Sequence, residues 1–341
     1  MLNQFKKEVL DGLSKTPQKS LPSKYFYDKK GDDLFVQIMA LPEYYLTRSE
    51  MEIFQEKTED IISALSLNKE NKYSLIELGA GDGTKTVHLL KALVNKNINF
   101  EYFPVDISQN ALDGIKSYLR TEVPTLIVKP NHNDYFKALE NLKQDGTIKI
   151  ILFLGSNIGN LVDELATEFI YQLGSNLFKG DKIILGVDLK KPKAIVLPAY
   201  NDSKGVTAEF NLNLLDRINK ELGANFNRAQ FEHAPTYDEH IGIAKSYIKS
   251  KIKQSVIIDG IEFYFEKDEL IHTEVSRKYD DQVLKQILSK TDIRWENKIT
   301  DSKQFFANYV LEKNYKKMNK LGIIGLGSKS TTYYIELLNL F

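Results

Sequence analysis

The 341-residue sequence contains no cysteine. This absence excludes disulfide bonds, thiolate zinc sites and a cysteine nucleophile. The 46 basic and 46 acidic side chains balance, and a chain without a basic excess lacks the field expected of a general nucleic-acid surface. The five histidines show no metal-ligand spacing, so we expect no metal site.

Long apolar runs are also absent. No stretch approaches the roughly 18 apolar residues of a membrane span, and the first residues lack the apolar core of a secretory signal. We therefore expect a cytoplasmic protein that binds neither a membrane nor a nucleic acid, and we take a monomer as the default.

A glycine-rich turn follows a strand-like run at residues 74–78. The glycines are Gly79, Gly81 and Gly83; Glu77 lies two residues before the first of them, and Asp106 closes the next strand-like run. In a doubly wound α/β sheet, the turn between the first strand and the first helix binds a phosphate or a nucleoside. Asp106 is then placed to bind the hydroxyls of a ribose.

Two kinds of nucleoside ligand fit such a turn. A dinucleotide site has its acid about 20 residues after the glycines, and Asp106 comes later than that. S-adenosylmethionine carries no phosphate, and its cationic sulfonium and zwitterionic tail tolerate an acidic loop. The order of acids and glycines resembles the first two motifs of class I methyltransferases. An NAD(P)-dependent oxidoreductase and a glycine turn without a ligand stay open as alternatives.

Strand-like and helix-like runs alternate around this turn. The strand-like runs are 74–78, 100–105, 126–128, 148–154 and 182–187. The helix-like runs are 85–94, 109–119, 134–142 and 163–178. Such alternation predicts a parallel sheet with helices on both faces.

The pattern changes after residue 188. A helical stretch at 206–222 precedes hairpin-like runs, two of them joined at Asp259-Gly260, which indicates an inserted domain. Residues 21–50 are aromatic, contain two prolines and show little periodicity, so we expect a packed lid there. The expected fold class is α/β, a Rossmann-like class I methyltransferase sheet with an inserted α+β substrate-binding domain.

This pattern divides the chain into five segments. They are an N-terminal helix and aromatic lid at 1–54, counted with the substrate domain; a methyltransferase domain at 55–196; the inserted domain at 197–279; the end of the methyltransferase domain at 280–312; and a C-terminal tail of unassigned role at 313–341.

Four further blocks make the resemblance more specific. They are LPSKYFYD, GDDLF and LPEYYLTR within 21–48, LFLGSNIGNL at 152–161, YNDSKGVTAEFN at 200–211 and TEVSRKY at 273–279. With the glycine turn, and over roughly residues 15–312, the chain resembles the histidine-specific N-methyltransferase family of ergothioneine biosynthesis.

The resemblance implies an enzyme that methylates the α-amine of L-histidine, up to the trimethylated betaine, with S-adenosylmethionine as co-substrate and no metal. It implies cofactor contacts for Gly79, Lys85, Asp106, Asp134 and Tyr135. It implies that the amine and carboxylate of the amino acid are held by Tyr27, Tyr44, Asn160 and Tyr200. The imidazole would be read by Glu274 and Ser276, and the expected catalytic residues are Tyr27 and Asn160.

Simple chemistry is consistent with these roles. Methyl transfer needs a neutral amine held in line at about 3 Å from the methyl carbon. The Asn160 amide can donate to a carboxylate and accept from an ammonium, and Glu274 can accept an imidazole N–H while Ser276 pairs with the other nitrogen. Tyr27 or a bound water would accept the proton that the amine loses.

Two departures from the family bear on the choice of substrate. Asn157 stands where a threonine is expected, and the segment Ile243-Ala244-Lys245 lacks the bulky methionine and tryptophan associated with the family. A wider pocket would suit a different amino acid or an aromatic amine, for example a tryptophan-derived one, on the same scaffold. A catalytically idle cofactor-binding regulator is a further alternative, which the presence of Tyr27, Asn160 and Glu274 disfavours.

Overall fold

The structure, a computed structural model, describes residues 2–143 and 146–314. Within these residues the α-helices are α1 (Leu2–Leu13), α2 (Lys29–Met39), α3 (Leu46–Glu56), α4 (Thr58–Leu65), α5 (Val87–Asn95), α6 (Gln109–Glu122), α7 (Tyr135–Leu142), α8 (Asp163–Ser175), α9 (Lys193–Tyr200), α10 (Val206–Leu222) and α11 (Asp281–Leu288). The strands are β1 (Lys19–Ser20), β2 (Lys72–Leu78), β3 (Asn99–Asp106), β4 (Asn131–His132), β5 (Ile148–Phe153), β6 (Lys182–Asp188), β7 (Phe231–His233), β8 (Thr236–Asp238), β9 (Ile243–Ser250), β10 (Gln254–Ile258), β11 (Ile261–Phe265), β12 (Leu270–Arg277), β13 (Ile293–Thr300) and β14 (Phe306–Lys313).

The described residues form two compact units. Among the described residues, the sheet unit consists of Leu46–Lys190 and 279–314, and the insertion unit consists of 2–45 and Lys191–Lys278. The three boundaries lie nine, six and one residues before those expected from the sequence. Helix α3 belongs to the sheet unit because its Ile53 and Phe54 are buried in the hydrophobic core of that unit.

The sheet unit contains a seven-stranded sheet in the order β13-β14-β6-β5-β2-β3-β4. Strands β4, β3, β2, β5 and β6 run parallel, and β14 and β13 close one edge as antiparallel strands. The predicted parallel sheet is therefore confirmed. After Lys72, every residue of β2 is buried, as expected of a strand covered on both faces. The chain direction across the sheet reverses beside β2, which is where α/β sheets bind ligands at their carboxyl edge.

One predicted strand is wrong. Residues 126–128 form only an isolated bridge between Val128 and Tyr102, and the neighbour of β3 at this edge is the two-residue β4. Pro130 supplies no N–H for a sheet ladder, so the pairing that starts at Val128 is interrupted there.

Residues 21–50 contain more regular structure than their weak periodicity predicted, and their role as a lid stays a prediction. Most of this segment is helical, in a short 3-10 turn at Ser23–Phe26, in α2 and at the start of α3. The Asp28 side chain caps α2 by accepting the Gly31 N–H at 2.8 Å. Pro22 and Pro42 fall between the helices, so they delimit the helices rather than prevent them.

The insertion unit builds its core from one sheet and several helices. The sheet has the order β1-β12-β9-β7 with β8 also on β9, and β10 and β11 form a separate hairpin. Its core residues come from α1, α10 and the strands. The prediction of a helix at 206–222 is confirmed, and Gly205 and Gly223, with φ of 74° and 66°, flank it.

Two further expectations concern the ends and the membrane. The methyltransferase sheet continues through Lys313, and the rest of the expected tail, 315–341, lies outside the described residues. In the described part of the chain, no helix combines the length and apolarity that a membrane span requires.

Candidate active site

The glycine turn has the backbone shape that the sequence predicted. Gly79, Gly81 and Gly83 have φ of 73°, 58° and 72°, values that residues other than glycine rarely adopt. A Cβ on Gly79 would lie 2.7 Å from the Tyr135 hydroxyl oxygen, whereas a Cβ on Gly81 would meet nothing within 4 Å. The turn therefore leaves open space beside Gly81 for a ligand, while Gly79 is fixed by close packing.

Glu77, the acid before the turn, is engaged within the sheet unit. Its carboxylate accepts hydrogen bonds from the Thr86 hydroxyl at 2.8 Å and the Tyr102 hydroxyl at 2.5 Å. Burial raises the pKa of Glu77 to about 7, although the bond from Tyr102 acts in the opposite direction. Glu77 thus links β2, β3 and the start of α5, a role that the sequence did not reveal.

Lys85 pairs with an acid that sequence reasoning missed. Its ammonium forms an ion pair with Glu50 of α3, whose buried carboxylate also accepts the Gly155 N–H at 3.0 Å. The signal available was the position of Glu50 three and four residues before Ile53 and Phe54, on the core-facing side of a helix. A role for Lys85 toward a cofactor stays a prediction.

Asp106, Tyr135 and Gly79 come together at the carboxyl edge of the sheet. Burial raises the pKa of the Tyr135 phenol, and the charge of nearby Asp106 adds to the shift. One Asp106 oxygen accepts the Ser108 N–H at 2.8 Å. Asp134 instead caps α7, accepting the Lys137 N–H at 2.9 Å.

A second turn lies beyond the carboxyl end of β5. Ser156 has a φ of 60°, and its hydroxyl accepts the Asp188 N–H at 2.9 Å, which fixes the 3-10 turn Asn157–Asn160 that follows. The Asn157 amide nitrogen would lie 3.7 Å from a Cβ on Gly79. Asn157 therefore borders the glycine turn, a contact that the sequence did not assign, and Asn160 ends the turn half-buried.

In the insertion unit, Tyr200, Ser276 and Lys278 form a buried hydroxyl–lysine cluster. The Tyr200 hydroxyl donates to Ser276 Oγ at 2.8 Å. Lys278 Nζ donates to the Tyr200 hydroxyl oxygen at 2.5 Å and to Ser276 Oγ at 2.8 Å. The structure therefore joins two of the predicted substrate residues through a lysine that carried no predicted role.

Glu274 lies two residues before Ser276 on β12. The register against β9 shifts between His272 and Glu274, and then pairs Glu274 with Ser246. Burial raises the pKa of Glu274 to about 7, and the charge of Lys278 acts to lower it. The described chain gives the Glu274 carboxylate no hydrogen-bond partner, so it presents an acceptor.

Tyr27 and Tyr44 belong to an aromatic cluster with Phe35 and Phe210. The Tyr27 ring centre lies 5.7 Å from that of Phe35 and 5.6 Å from that of Phe210, and Tyr44 lies 6.3 Å from Phe35. Tyr27 keeps 44% of its surface exposed. The protein around its ring nevertheless raises the pKa of the phenol, and the charge of Glu274 adds to the shift. Tyr27 and Glu274 thus lie within electrostatic reach of each other.

The strand opposite Ser276 carries a small residue. Ala244 of β9 pairs with Ser276 in the sheet register and is buried. His233 bonds through Nε2 to the Tyr200 carbonyl oxygen at 2.7 Å and holds the end of α9. Over 2–143 and 146–314, no group of three His, Asp or Glu side chains has the geometry of a metal site.

Comparison with known proteins identifies the family. Residues 5–313 match the family described as histidine-specific methyltransferase, SAM-dependent. The chain is 34% identical over 299 residues to histidine N-alpha-methyltransferase of Mycolicibacterium smegmatis, covering 87% of this chain and 91% of that protein. It is 30% identical to ergothioneine biosynthesis protein 1 of Schizosaccharomyces pombe, over 88% of this chain and 40% of that protein.

A more distant relative is the L-tryptophan methyltransferase trpM of Psilocybe serbica, 25% identical over 90% of this chain and 92% of that protein. The matched range, 5–313, spans both the sheet unit's glycine turn and the strand β12 of the insertion unit. The chain belongs to the histidine-specific, SAM-dependent methyltransferase family.

Proposed function

We propose that the protein transfers methyl groups from S-adenosylmethionine to the α-amine of L-histidine, up to the trimethylated betaine. The observation that carries the proposal is the pair Glu274 and Ser276, two residues apart on β12. Within the described residues, Glu274 offers a carboxylate without a hydrogen-bond partner and Ser276 a buried hydroxyl, which together match the two nitrogens of an imidazole.

The residues of the sheet unit fit the co-substrate. The left-handed glycine turn leaves open space beside Gly81, and Asp106 ends the adjacent strand, where ribose hydroxyls bind in such folds. When bound, S-adenosylmethionine supplies an electrophilic methyl group on its sulfonium. We propose that Gly79, Asp106 and Tyr135 contact it, together with Lys85 and Asp134.

Tyr27, Tyr44, Asn160 and Tyr200 are proposed to hold the amine and carboxylate of histidine. The raised pKa of Tyr27 keeps its phenol neutral at physiological pH, so Tyr27 accepts a hydrogen bond from the amine and orients it rather than acting as a phenolate base. The proton then leaves through water. In each round the nitrogen gains a methyl, the carbon–sulfur bond breaks, and one proton leaves the amine before the attack.

A tryptophan-derived amine is the second candidate acceptor. Ala244, opposite Ser276, is smaller than the methionine and tryptophan associated with the family, which supports a wider pocket. The relative from Psilocybe serbica is named for tryptophan. An indole has one N–H and no acceptor nitrogen, so it would leave the Ser276 hydroxyl without a ring partner. Histidine is therefore the favoured acceptor.

Calorimetry tests the proposal directly. The protein should bind S-adenosylhomocysteine and then L-histidine, and should show no heat with NAD or NADP. Binding of L-tryptophan but not L-histidine would move the assignment to the second candidate. Binding of NADP in place of S-adenosylhomocysteine would contradict both.

We further propose a monomer located in the cytoplasm, with no nucleic-acid or membrane partner. Light scattering on the purified protein checks the first point, since a dimer would double the mass of 39.1 kDa.

A further inference from the structure

Lys278 is a buried cation directly after β12. None of its surface is exposed, and its ammonium donates to the hydroxyl oxygens of Tyr200 and Ser276. It also lies 4.7 Å from the centre of the Tyr200 ring. Burying an ammonium costs free energy that its contacts must offset. Such a residue needs an explanation beyond packing.

The cluster determines what the Ser276 hydroxyl can do. A serine hydroxyl has two acceptor positions and one hydrogen. Tyr200 donates to Ser276 Oγ at 2.8 Å and Lys278 donates to the same oxygen at 2.8 Å, so both acceptor positions are filled. Only the hydroxyl hydrogen of Ser276 is left to form a further hydrogen bond, so Ser276 can bind a ligand only as a donor.

Glu274 supplies the opposite polarity two residues earlier. Its carboxylate is an acceptor. Burial raises its pKa to about 7, and the positive charge of Lys278 acts in the opposite direction, toward the ionised form that accepts best. The pair therefore offers one acceptor and one fixed donor. A neutral imidazole has one N–H and one lone-pair nitrogen, which satisfy both. A ring without an acceptor nitrogen leaves the Ser276 donor unpaired, and an unpaired buried polar group is what makes such a site selective.

We propose that Lys278 is a positioning residue that fixes Ser276 as a hydrogen-bond donor and thereby sets the preference for a ring with one N–H and one acceptor nitrogen. The inference rests on the proposed function, because it assigns a determinant of selectivity to the same site.

Lys278→Met tests the role, since methionine is of similar length but has neither charge nor donors. Without Lys278, one acceptor position on Ser276 is released and its hydroxyl can rotate. We expect KM for histidine to rise about tenfold or more, the scale of one hydrogen bond to a charged group, with kcat changed less than about threefold. The Kd for S-adenosylhomocysteine should stay within about twofold. Lys249→Met, which removes a surface lysine of β9 paired with Glu232, is the control and should change none of these values.

A double-mutant cycle separates this role from a merely structural one. If Lys278 acts through Ser276, the rise in KM for Ser276→Ala/Lys278→Met should be at least about threefold smaller than the product of the two single rises. Losses that multiply, or an unchanged KM in Lys278→Met, would overturn the inference. Failure of the wild-type protein to methylate histidine would instead overturn the proposed function.

Substrate analogues keep the inference testable if Lys278→Met does not fold. Thiazol-4-ylalanine and thien-3-ylalanine have the same shape and differ in one acceptor nitrogen, as do thiazol-5-ylalanine and thien-2-ylalanine. We expect the wild-type protein to bind at least one thiazole about fivefold or more tightly than its matched thiophene, and Ser276→Ala to abolish the difference. Equal binding within both pairs would show that Ser276 is not a fixed donor.

Discussion

The close approach of Gly79 to Tyr135 gives a prediction whose size follows from the geometry. Gly79→Ala places a Cβ 2.7 Å from the Tyr135 hydroxyl oxygen, at a φ of 73°. The left-handed backbone alone costs about 1–2 kcal/mol for an L-residue. Displacing the hydroxyl adds about 1–3 kcal/mol of overpacking. Together these terms predict a loss of about 2–5 kcal/mol in the free energy of unfolding.

Two matched variants separate the two terms. Gly81→Ala has the same kind of positive φ but meets nothing within 4 Å, so it should lose only the backbone term of about 1–2 kcal/mol. Tyr135→Phe removes the oxygen that an alanine at 79 would strike, and the next ring atom, Cζ, lies at 3.7 Å, an ordinary contact. Gly79→Ala measured in the Tyr135→Phe background should therefore cost no more than Gly81→Ala.

Urea unfolding of the four variants measures these differences, with calorimetry of S-adenosylhomocysteine alongside. We expect Gly79→Ala also to weaken S-adenosylhomocysteine binding, because it moves Tyr135 beside the turn. Equal destabilisation by Gly79→Ala and Gly81→Ala, or no recovery in the Tyr135→Phe background, would refute the packing argument.

Further predictions concern three acidic residues. Glu274→Ala should raise KM for histidine about tenfold or more and leave the Kd for S-adenosylhomocysteine nearly unchanged; an equal loss of both in calorimetry would remove Glu274 from the imidazole role. Burial raises the pKa of Glu77 to about 7 from its ordinary 4.5, so between these values the folded protein keeps a proton that the unfolded chain has released. The free energy of unfolding should therefore fall as pH rises from about 4.5 to about 7. Glu77→Gln should reduce the slope of this free energy against pH by up to about 1.4 kcal/mol per pH unit. Urea titrations that give the same slope for the variant and the wild-type protein would contradict this role of Glu77. Glu50→Gln removes the charge that pairs with Lys85, and calorimetry at two salt concentrations should show a changed S-adenosylhomocysteine affinity; identical affinities would separate Glu50 from the cofactor half of the site.

Local patterns predicted those elements whose boundaries are written in the sequence. Helix α10 was predicted with its observed bounds because apolar periodicity runs between Gly205 and Gly223. The parallel sheet followed from alternation alone. The prolines at 22 and 42 misled the interpretation of residues 21–50, since they separate helices instead of excluding them.

The site was predictable where a motif carried it and unpredictable where tertiary neighbours did. Gly79, Asp106 and Tyr135, which the resemblance assigns to the cofactor, lie close together, and their cofactor contacts stay a prediction. Glu50 meets Lys85 and the Gly155 backbone only because α3 packs on the sheet, and the role of Lys278 depends on Tyr200, 78 residues away in the chain. Residues so far apart leave no spacing signal in a single sequence.

The most direct test of the central claim is a methylation assay of the wild-type protein with labelled S-adenosylmethionine and each of the twenty amino acids, read by mass spectrometry. We predict label on L-histidine at the α-nitrogen, with products one, two and three methyl masses heavier. Label on another amino acid with none on histidine would contradict the account.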